Sequence, residues 1–348
     1  MKKCLTNLLS VFLLVSCTST DVSPTAVSTQ SPTSVSETTL VPIESPTLIV
    51  NTPSTTELPT AGEIALAHVD SIANGIGPRP AGTEKEAATV QYLVQVFEKL
   101  RYPSQVQPFI ATVKDLTIES ANVIAVKHGM SVKEIIVGAH YDSVKVGQGA
   151  DDNASGVAVI LEVAERLRDV ETPYTIRFIL FGAEEAGLQG SKYYVSQMTD
   201  EQKRNTIAMI NLDSLAAGDI AYIYGDQGQK GEIRDWALQF AADRDLALQT
   251  QTGENPQYPA GTTGDWSDHA PFKVAGIPYA YFESTNWTLG NRDGYTQVDL
   301  GYGENGEIWH TSHDTLEYID ETFPGRMQER LHLFVTVLEA ILTEYQAQ

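Results

Sequence analysis

Short apolar runs alternate with stretches of helical periodicity from residue 135 onwards, and this alternation restricts the chain to few folds. The apolar runs cover residues 135–137, 175–181 and 207–212, and candidate helices follow the first two at 154–168 and 188–197. Such short runs without a polar face are typical of strands that are buried on both sides. The pattern predicts an α/β fold with a mixed, mostly parallel central sheet and helices on both faces.

Further candidate elements extend this pattern towards both ends of the region. Helical spacing recurs at 61–73, 83–100, 233–242 and 327–345, and strand-like runs occur at 106–113, 122–126 and 278–282. We therefore predict one folded catalytic domain at residues 61–348, and we expect it to be a monomer.

The first residues form a separate segment with the features of an export signal. Lys2 and Lys3 precede an apolar stretch, residues 5–15, which is too short to span a bilayer stably. The stretch leads into Leu-Val-Ser-Cys at 14–17, which resembles the bacterial lipobox, whose cysteine is acylated after cleavage. We predict a lipoprotein signal peptide at 1–16 and a lipid anchor at Cys17. With this anchor, the protein is exported and held on the extracytoplasmic side of the bacterial cell membrane. The alternative is an ordinary signal peptide that contains a cysteine at this position by chance.

Residues 18 to 60 are dominated by Ser, Thr and Pro, with few charges and no apolar periodicity. Such a segment cannot bury enough apolar surface to fold, and its prolines keep it extended. We predict a disordered linker at 17–60 between the anchor and the domain.

Charge and cysteine content narrow the possible chemistry. The formal net charge is −22; residues 1–16 carry +2 and residues 17–60 carry −4, which leaves −20 for the domain. Nucleic acid is therefore not an expected partner, because phosphate binding requires a basic surface. Cys4 and Cys17 are the only cysteines, so any metal in the domain has to be bound by His, Asp and Glu.

Each of the three central apolar runs leads to residues that can bind a metal. His140 follows the first run, Glu184 and Glu185 follow the second, and Asp213 follows the third. Because ligands bind outside the carboxyl ends of strands in open α/β sheets, these side chains are expected to converge. Carboxylates crowded together repel one another unless a cation neutralises them. Nitrogen and oxygen ligands without sulfur favour zinc, with manganese or cobalt as alternatives.

Six strings in the sequence together resemble peptidase family 28 of the metallopeptidases, which contains secreted bacterial double-zinc aminopeptidases. They occur in the family's order, and the resemblance covers roughly residues 61 to 345. The strings are 76–83 (IGPRPAGT), 138–143 (GAHYDS), 149–156 (GADDNASG), 183–187 (AEEAG), 211–213 (NLD) and 310–315 (HTSHDT).

The resemblance implies a site with two zinc ions per chain and assigns a role to each motif residue. One zinc is held by His140 and Asp213 and the other by Glu185 and His310, while Asp152 bridges the two and Glu184 is the general base. Asp152 could instead cap the following helix, and His313 competes with His310 for the last position. Asp142 is expected to accept a hydrogen bond from the His140 ring and to fix its tautomer.

This arrangement implies a metal-dependent aminopeptidase that hydrolyses the N-terminal bond of peptides with a water shared by the two zinc ions. A glutaminyl cyclase with one zinc, or a carboxypeptidase or dipeptidase on the same fold, is an alternative enzyme. A non-catalytic binding lipoprotein is a third possibility. The long segment 286–309 precedes His310, and Tyr295, Tyr302 and Trp309 within it are candidates for the pocket that receives the first side chain of the substrate.

Overall fold

The computed structural model of the chain describes residues 58–347. The predicted signal peptide, Cys17 and the predicted linker as far as residue 57 lie outside the described residues. Within 58–347, no helix combines the length and the apolar character that a membrane span requires.

Eight strands form one sheet in the order β1-β2-β4-β3-β5-β8-β6-β7. Four of the seven pairings are parallel, namely β3 with β4, β3 with β5, β5 with β8, and β6 with β7. The others are antiparallel. The strands are β1 Ser104–Val113, β2 Leu116–Lys127, β3 Ser131–His140, β4 Tyr174–Phe181, β5 Thr206–Leu212, β6 Ile220–Gly225, β7 Leu248–Gln249 and β8 Tyr279–Thr285.

Nine α-helices accompany the sheet in the described part of the chain. Two wider helical turns, Asp70–Ile76 and Ala150–Ser155, lead out of α1 and into α3. The helices are α1 Glu63–Val69, α2 Glu84–Lys99, α3 Gly156–Leu167, α4 Gln189–Gln197, α5 Asp200–Asn205, α6 Glu232–Ala242, α7 His269–Val274, α8 Leu316–Thr322 and α9 Arg326–Glu344.

Alternate residues of the central strands face two different hydrophobic clusters, so the sheet is covered on both sides. Ile135 and Val137 of β3 belong to a large cluster with apolar residues of α1, α2, α3, α6 and α9. Ile136, between them, belongs to a smaller cluster with Tyr194 of α4 and Phe272 of α7. Since side chains alternate across a strand, this division explains why residues 135–137 are all apolar.

The predicted fold class is confirmed, although the predicted elements did not include the short helices α5, α7 and α8. The predicted helices begin and end within a few residues of the observed ones, except that the helical spacing at 61–73 corresponds to α1 and the wider turn after it. The prediction did not include β6, although its sequence IAYIYG is a continuous apolar run. It also did not include β7, whose two residues are too few to show any periodicity.

Candidate metal centre and active site

Three neighbouring strands bring the predicted residues to one edge of the sheet. Strand β3 lies between β4 and β5, and all three run in the same direction. His140 is the last residue of β3, Asp213 directly follows β5, and Glu184 is the third residue after β4. Each of these side chains therefore lies at the carboxyl end of its strand, as expected for a ligand site in an α/β sheet.

Asp152 lies in the wide turn before α3 and points towards the same edge. Its Oδ1 is 3.1 Å from Nε2 of His140, and its Oδ2 is 3.1 Å from Nε2 of His310. The helix start is capped by a different residue, since the backbone N–H of Gly156 donates to Oδ1 of Asn153 at 2.9 Å. The side chain at the start of the helix is therefore that of Asn153 and not that of Asp152.

Five side chains meet in two groups that share Asp152. In the first group, Nε2 of His140 lies 3.2 Å from Oδ1 of Asp213 and next to Asp152. In the second, Nε2 of His310 lies 3.1 Å from Oε2 of Glu185 and next to the other oxygen of Asp152. The ligand atoms within each group lie within 4.8 Å of one another.

The side chains present fit divalent cations. Asp152 and Asp213 are buried, and among residues 58–347 no Lys or Arg forms an ion pair with either of them or with Glu185. The Oε1 atom of Glu185 is buried and has no hydrogen-bond partner within the described residues. Carboxylates in this state require a cation, and a donor set of imidazole nitrogen and carboxylate oxygen suits zinc.

The crowded carboxylates shift the protonation of the histidines in the cluster. Hydrogen bonds that the His310 ring donates to Asp152 and Glu185 raise the pKa of His310 to about 11. Burial opposes the ionisation of Asp152, yet hydrogen bonds from His140 and His310 hold the pKa of Asp152 well below its usual range. A bound metal replaces such protons, because metal ligation requires neutral imidazole and ionised carboxylate.

Glu184 is adjacent to Glu185 in sequence but is not part of either ligand group. It is nearly buried. Burial raises the pKa of Glu184 well above its usual range, the carboxylates of Asp268 and Asp213 raise it further, and His140 acts in the opposite direction. A carboxyl group with a raised pKa beside a cleft is suited to moving protons.

Asp142 contacts both of the ligand-bearing segments next to it. Its carboxylate accepts hydrogen bonds from the backbone N–H groups of Glu184 at 2.9 Å and Glu185 at 3.2 Å. The Nδ1 atom of His140 lies 3.2 Å from the main-chain oxygen of Asp142 and 3.8 Å from its carboxylate Oδ1. Asp142 thus joins the end of β3 to the turn that carries the two glutamates.

Three buried residues that the sequence reasoning left without a role hold the loops around the site. Arg79 donates to the main-chain oxygens of Tyr141 at 2.6 Å, Gln148 at 2.8 Å and Gly149 at 2.9 Å. The carboxylate of Asp314 accepts from the backbone N–H groups of Asp151 and Asp152 at 2.7 and 3.2 Å. Both lie within the strings that carry the family resemblance.

The third of these residues, Asp151, connects the turn before α3 to two other loops. Its Oδ1 accepts from the backbone N–H groups of Ala216 and Ala217 at 2.6 and 3.0 Å. Its Oδ2 accepts from the side chain of Gln297 at 2.7 Å, and Gln297 in turn accepts from the N–H groups of Ile308 and Trp309, both at 2.8 Å. Asp151 therefore supports the loops, whereas its neighbour Asp152 faces the histidines.

His313, the competing candidate, and His269 lie outside the ligand groups. The ring of His313 packs against Tyr318 at a centroid distance of 4.4 Å. The ring of His269 is fully buried between Tyr279 and Tyr281, 4.8 Å from each, and its Nε2 donates to the main-chain oxygen of Gly264. Of the two histidines in the string 310–315, His310 is the one that meets Asp152 and Glu185.

A cavity of about 170 Å³ opens beside the ligand groups. His140, Asp152, Glu184, Glu185, Asp213 and His310 line one side of it, and aromatic side chains line the other. Tyr295 and Trp309 of the segment 286–309 are among these aromatic residues, whereas the ring of Tyr302 packs against Phe323. The site is thus a cleft with two groups of metal-binding side chains and a carboxyl group that belongs to neither group. These features are typical of metal-dependent hydrolases.

Comparison with known proteins identifies the family. Residues 122–335 match the sequence model of Peptidase family M28. The chain is 33% identical over 315 residues to the alkaline phosphatase isozyme conversion protein of Escherichia coli (strain K12), covering 82% of this chain and 91% of that protein. The chain belongs to Peptidase family M28 and is a zinc-dependent peptidase of the aminopeptidase type.

Two other relatives are aminopeptidases by name. Aminopeptidase YwaD of Bacillus subtilis (strain 168) is 32% identical over 234 residues, 65% of this chain, and the "Probable lipoprotein aminopeptidase LpqL" of Mycobacterium tuberculosis (strain ATCC 25618 / H37Rv) is 29% identical over 295 residues, 76% of this chain. The chain spans only 46% and 55% of the lengths of these two proteins.

Solved structures share the fold at low sequence identity. The zinc aminopeptidase BSAP from Bacillus subtilis superposes with a TM-score of 0.65 at 21% identity, covering 84% of this chain and 98% of that one. A glutaminyl cyclase from Porphyromonas gingivalis superposes with a TM-score of 0.61 at 22% identity, covering 80% and 98%. The same fold therefore occurs in both classes of enzyme.

Proposed function

We propose that this protein removes the N-terminal residue of peptides with two zinc ions per chain. His140 and Asp213 would hold one ion, Glu185 and His310 the other, and Asp152 would bridge them. The single observation that carries this proposal is the position of Asp152, whose two carboxylate oxygens each lie 3.1 Å from a different histidine nitrogen. Bound zinc would supply Lewis acidity for the peptide carbonyl and lower the pKa of water.

Glu184 is the proposed general base. Its carboxyl group lines the cavity together with the ligands, and it is free to accept a proton from the attacking water and to pass it to the leaving amine. The N–H groups of Glu184 and Glu185 both donate to Asp142, and this keeps the two side chains in different places. One glutamate then serves as a ligand while the other moves the proton.

The acidity of the cavity supports action at the N-terminus of a peptide. A free α-ammonium group carries a positive charge one carbon atom away from the scissile carbonyl, and Glu184 and Asp213 both line the space where it would lie. A substrate carboxylate would find no Lys or Arg partner, since none is among the residues that line this cavity in the described part of the chain. The side chains that line the cavity thus favour an aminopeptidase over a carboxypeptidase.

A pair of peptides that differ only in N-terminal acetylation tests this proposal. The free peptide should lose one residue at a time from its N-terminus, and the acetylated peptide should remain intact, as followed by mass spectrometry. Equal cleavage of both peptides, or release of the C-terminal residue first, would overturn the proposed function.

The shared fold makes glutaminyl cyclase activity the second candidate. The presence of two groups of ligands around Asp152 favours the two-ion peptidase, because a bridging carboxylate has no use in a site with one ion. A peptide with N-terminal glutamine separates the two reactions. Peptidase action releases free glutamine, whereas cyclisation releases ammonia and leaves the peptide otherwise intact.

We further propose that the protein acts outside the cytoplasm as a lipid-anchored monomer, with residues 17–60 as a linker and residues 61–348 as the catalytic domain. The lipobox string at 14–17 supports the anchor, and one relative bears the word lipoprotein in its name. Substitution Cys17→Ala should move the protein from the membrane fraction to the soluble fraction of cells, as detected by immunoblotting. Unchanged membrane association would contradict the anchor.

A further inference from the structure

One wall of the cavity beside the ligand groups consists of residues that have no role in the proposed mechanism. This wall consists of Trp266, Tyr281, Tyr295 and Trp309 together with one charged residue, Glu283. The wall and the ligand groups border the same cavity. The wall therefore faces the part of a substrate that lies beside the reacting groups.

Glu283 is a buried carboxylate without a cationic partner. Its residue is 2% exposed, and in the described part of the chain no Lys, Arg or His nitrogen lies within 4.0 Å of its oxygens. Tyr281 donates to its Oε1 at 2.8 Å and Tyr224 to its Oε2 at 2.9 Å. Burial raises the pKa of Glu283 to about 8, so the ionised carboxylate is disfavoured without a positive partner, and a cation from outside would favour it.

A second contact fixes the hydrogen of one tyrosine on this carboxylate. The indole N–H of Trp287 donates to the Tyr224 hydroxyl oxygen at 2.7 Å, so the Tyr224 proton is directed towards Glu283. The same chain of contacts makes Glu283 rigid, because Tyr224, Trp287 and Tyr281 pack against one another. A rigid acceptor surrounded by aromatic faces is suited to a flat or compact cation, which the faces of the rings also attract.

The strand register shows which part of a substrate would reach Glu283. Leu212 of β5 is paired with Phe282 of β8 in parallel register, so the next residues, Asp213 and Glu283, are neighbours about 4.8 Å apart on adjacent strands. Glu283 thus lies one strand farther from His140 than Asp213 does. A peptide carbonyl held near Asp213 and Glu184 would place the first residue of the substrate beside Glu283 and the aromatic wall. Glu184 and Asp213 already flank the α-ammonium group in the proposed function, which leaves Glu283 for the side chain of that residue.

We propose that Glu283 is a specificity-determining residue and that the cavity selects peptides whose first residue is arginine or lysine. This inference rests on the proposed aminopeptidase function, because it assigns the cavity to the side chain before the scissile bond. The guanidinium or ammonium group would pair with the Glu283 carboxylate between Trp266, Tyr281, Tyr295 and Trp309. The domain charge of −20 (the total of −22 less the signal peptide and linker) would also increase the encounter rate of cationic peptides.

Substrates with arginine and citrulline as the first residue provide the test, because citrulline has nearly the shape of arginine but no charge. With aminoacyl p-nitroanilides and the zinc-loaded protein, kcat/KM should be at least about tenfold higher for arginine than for citrulline, since a site built for a polar partner rejects an analogue that leaves it unpaired. Glu283→Gln should reduce this ratio to within about threefold of one. Glu304→Gln, a matched change on the exposed part of the segment 286–309, should keep the wild-type ratio.

Several outcomes would overturn the assignment. Equal kcat/KM for arginine and citrulline in the wild-type protein would exclude charge selection without any variant, so the question does not depend on whether Glu283→Gln folds. An equal loss on all substrates in Glu283→Gln would instead place Glu283 at the α-ammonium group or in the fold alone.

A binding measurement separates this inference from the proposed function. Calorimetric titration of the zinc-loaded wild-type protein with the free amino acids should show binding of L-arginine at least about tenfold tighter than binding of L-citrulline. If none of the anilides were hydrolysed, the aminopeptidase proposal would fail, whereas a preserved preference for L-arginine would still support the assignment of Glu283. Equal binding of both amino acids would overturn it.

Discussion

Glu184 and Glu185 have the same chemistry and adjacent positions, yet their surroundings differ completely. The Oε2 atom of Glu185 lies 3.1 Å from His310 and belongs to a ligand group. Burial raises the pKa of Glu184 well above the usual range, and His140, Asp268 and Asp213 are among its charged neighbours. The backbone contact of both residues with Asp142 makes this division possible.

The first prediction concerns the proton transfer by Glu184. Substitution Glu184→Gln should lower kcat by about 10²–10⁴-fold, because general acid-base catalysis contributes that range, while zinc content measured by atomic absorption should remain that of the wild type. Glu165→Gln on α3 is a control with the same change of charge. Normal turnover in Glu184→Gln would exclude it as the base, and loss of zinc would indicate a ligand instead.

The second prediction uses the buried ring of His269. Burial lowers the pKa of His269 from 6.5 to about 4, so between these values the unfolded chain binds a proton that the folded protein does not. The free energy of unfolding should therefore fall as pH decreases through this window, with about 2 kcal/mol from His269 between pH 7.5 and pH 5.

Urea unfolding in the presence of a chelator measures this contribution without interference from bound metal. His269→Gln should lose stability less steeply than the wild type when the pH is lowered from 7.5 to 5. His332→Gln, at an exposed position of α9, should behave like the wild type. The same pH dependence in His269→Gln and the wild type would contradict a neutral buried ring.

Residue identity alone was informative where a strand end carried a metal-binding side chain. His140, Glu184, Glu185 and Asp213 were recognised by this rule, and the structure brings them together. The same rule applies to Glu283, which directly follows the strand-like run at 278–282, but a single glutamate after a fourth run was not distinguished from a solvent-exposed charge. Its burial depends in part on Tyr224 of the neighbouring strand β6, a contact between residues far apart in sequence that no local pattern contains.

At the scale of elements, the strands of the parallel centre were predictable because they are buried on both faces. Residues 135–137, 175–181 and 207–212 are predominantly apolar for that reason. Their order in the sheet and the antiparallel pairing of β2 with β4 and of β6 with β8 were not predictable. These pairings depend on contacts between residues far apart in sequence, whereas periodicity reports only on the local chain.

The third prediction concerns the loop that joins β3 to the turn before α3. Arg79 is fully buried and donates to three main-chain oxygens of this loop with its planar guanidinium group. Lysine cannot reach three carbonyls in this geometry. Arg79→Lys should therefore lower the free energy of unfolding by about 2–4 kcal/mol, because unsatisfied buried polar groups cost about 1–3 kcal/mol each.

Chemical denaturation of Arg79→Lys and of Arg101→Lys tests this expectation. Arg101 is exposed and pairs with Asp169 at 3.1 Å on the surface, so the same substitution there should change stability by less than about 0.5 kcal/mol. Equal effects of the two substitutions would contradict the role of Arg79 in holding the loop.

At the scale of the whole molecule, the fourth prediction concerns metal removal. The domain is strongly acidic, and its densest buried group of carboxylates has no Lys or Arg partner within residues 58–347. Metal that binds the folded state alone raises stability by about 2.7 kcal/mol at a hundredfold excess over its dissociation constant. Chelation should therefore lower the melting temperature by about 5–10 °C and abolish peptidase activity.

Differential scanning calorimetry with and without zinc measures this shift. Glu184→Gln should show the same shift as the wild type, because it keeps the ligands, whereas Asp152→Asn should show a much smaller one. Zinc analysis of the purified protein should give close to two ions per chain. A melting temperature that does not respond to zinc would contradict the proposed site.

The side chain of Gln297 clamps the base of the segment 286–309, since it connects Asp151 to the backbone of Ile308 and Trp309. Residues 298–307 lie beyond this clamp and form an excursion that leaves and returns at nearly the same point. Insertions in this excursion can therefore be accommodated while the contacts of Gln297 beneath it stay in place. The excursion is a place where a tag or a short peptide can be inserted without rebuilding the catalytic centre.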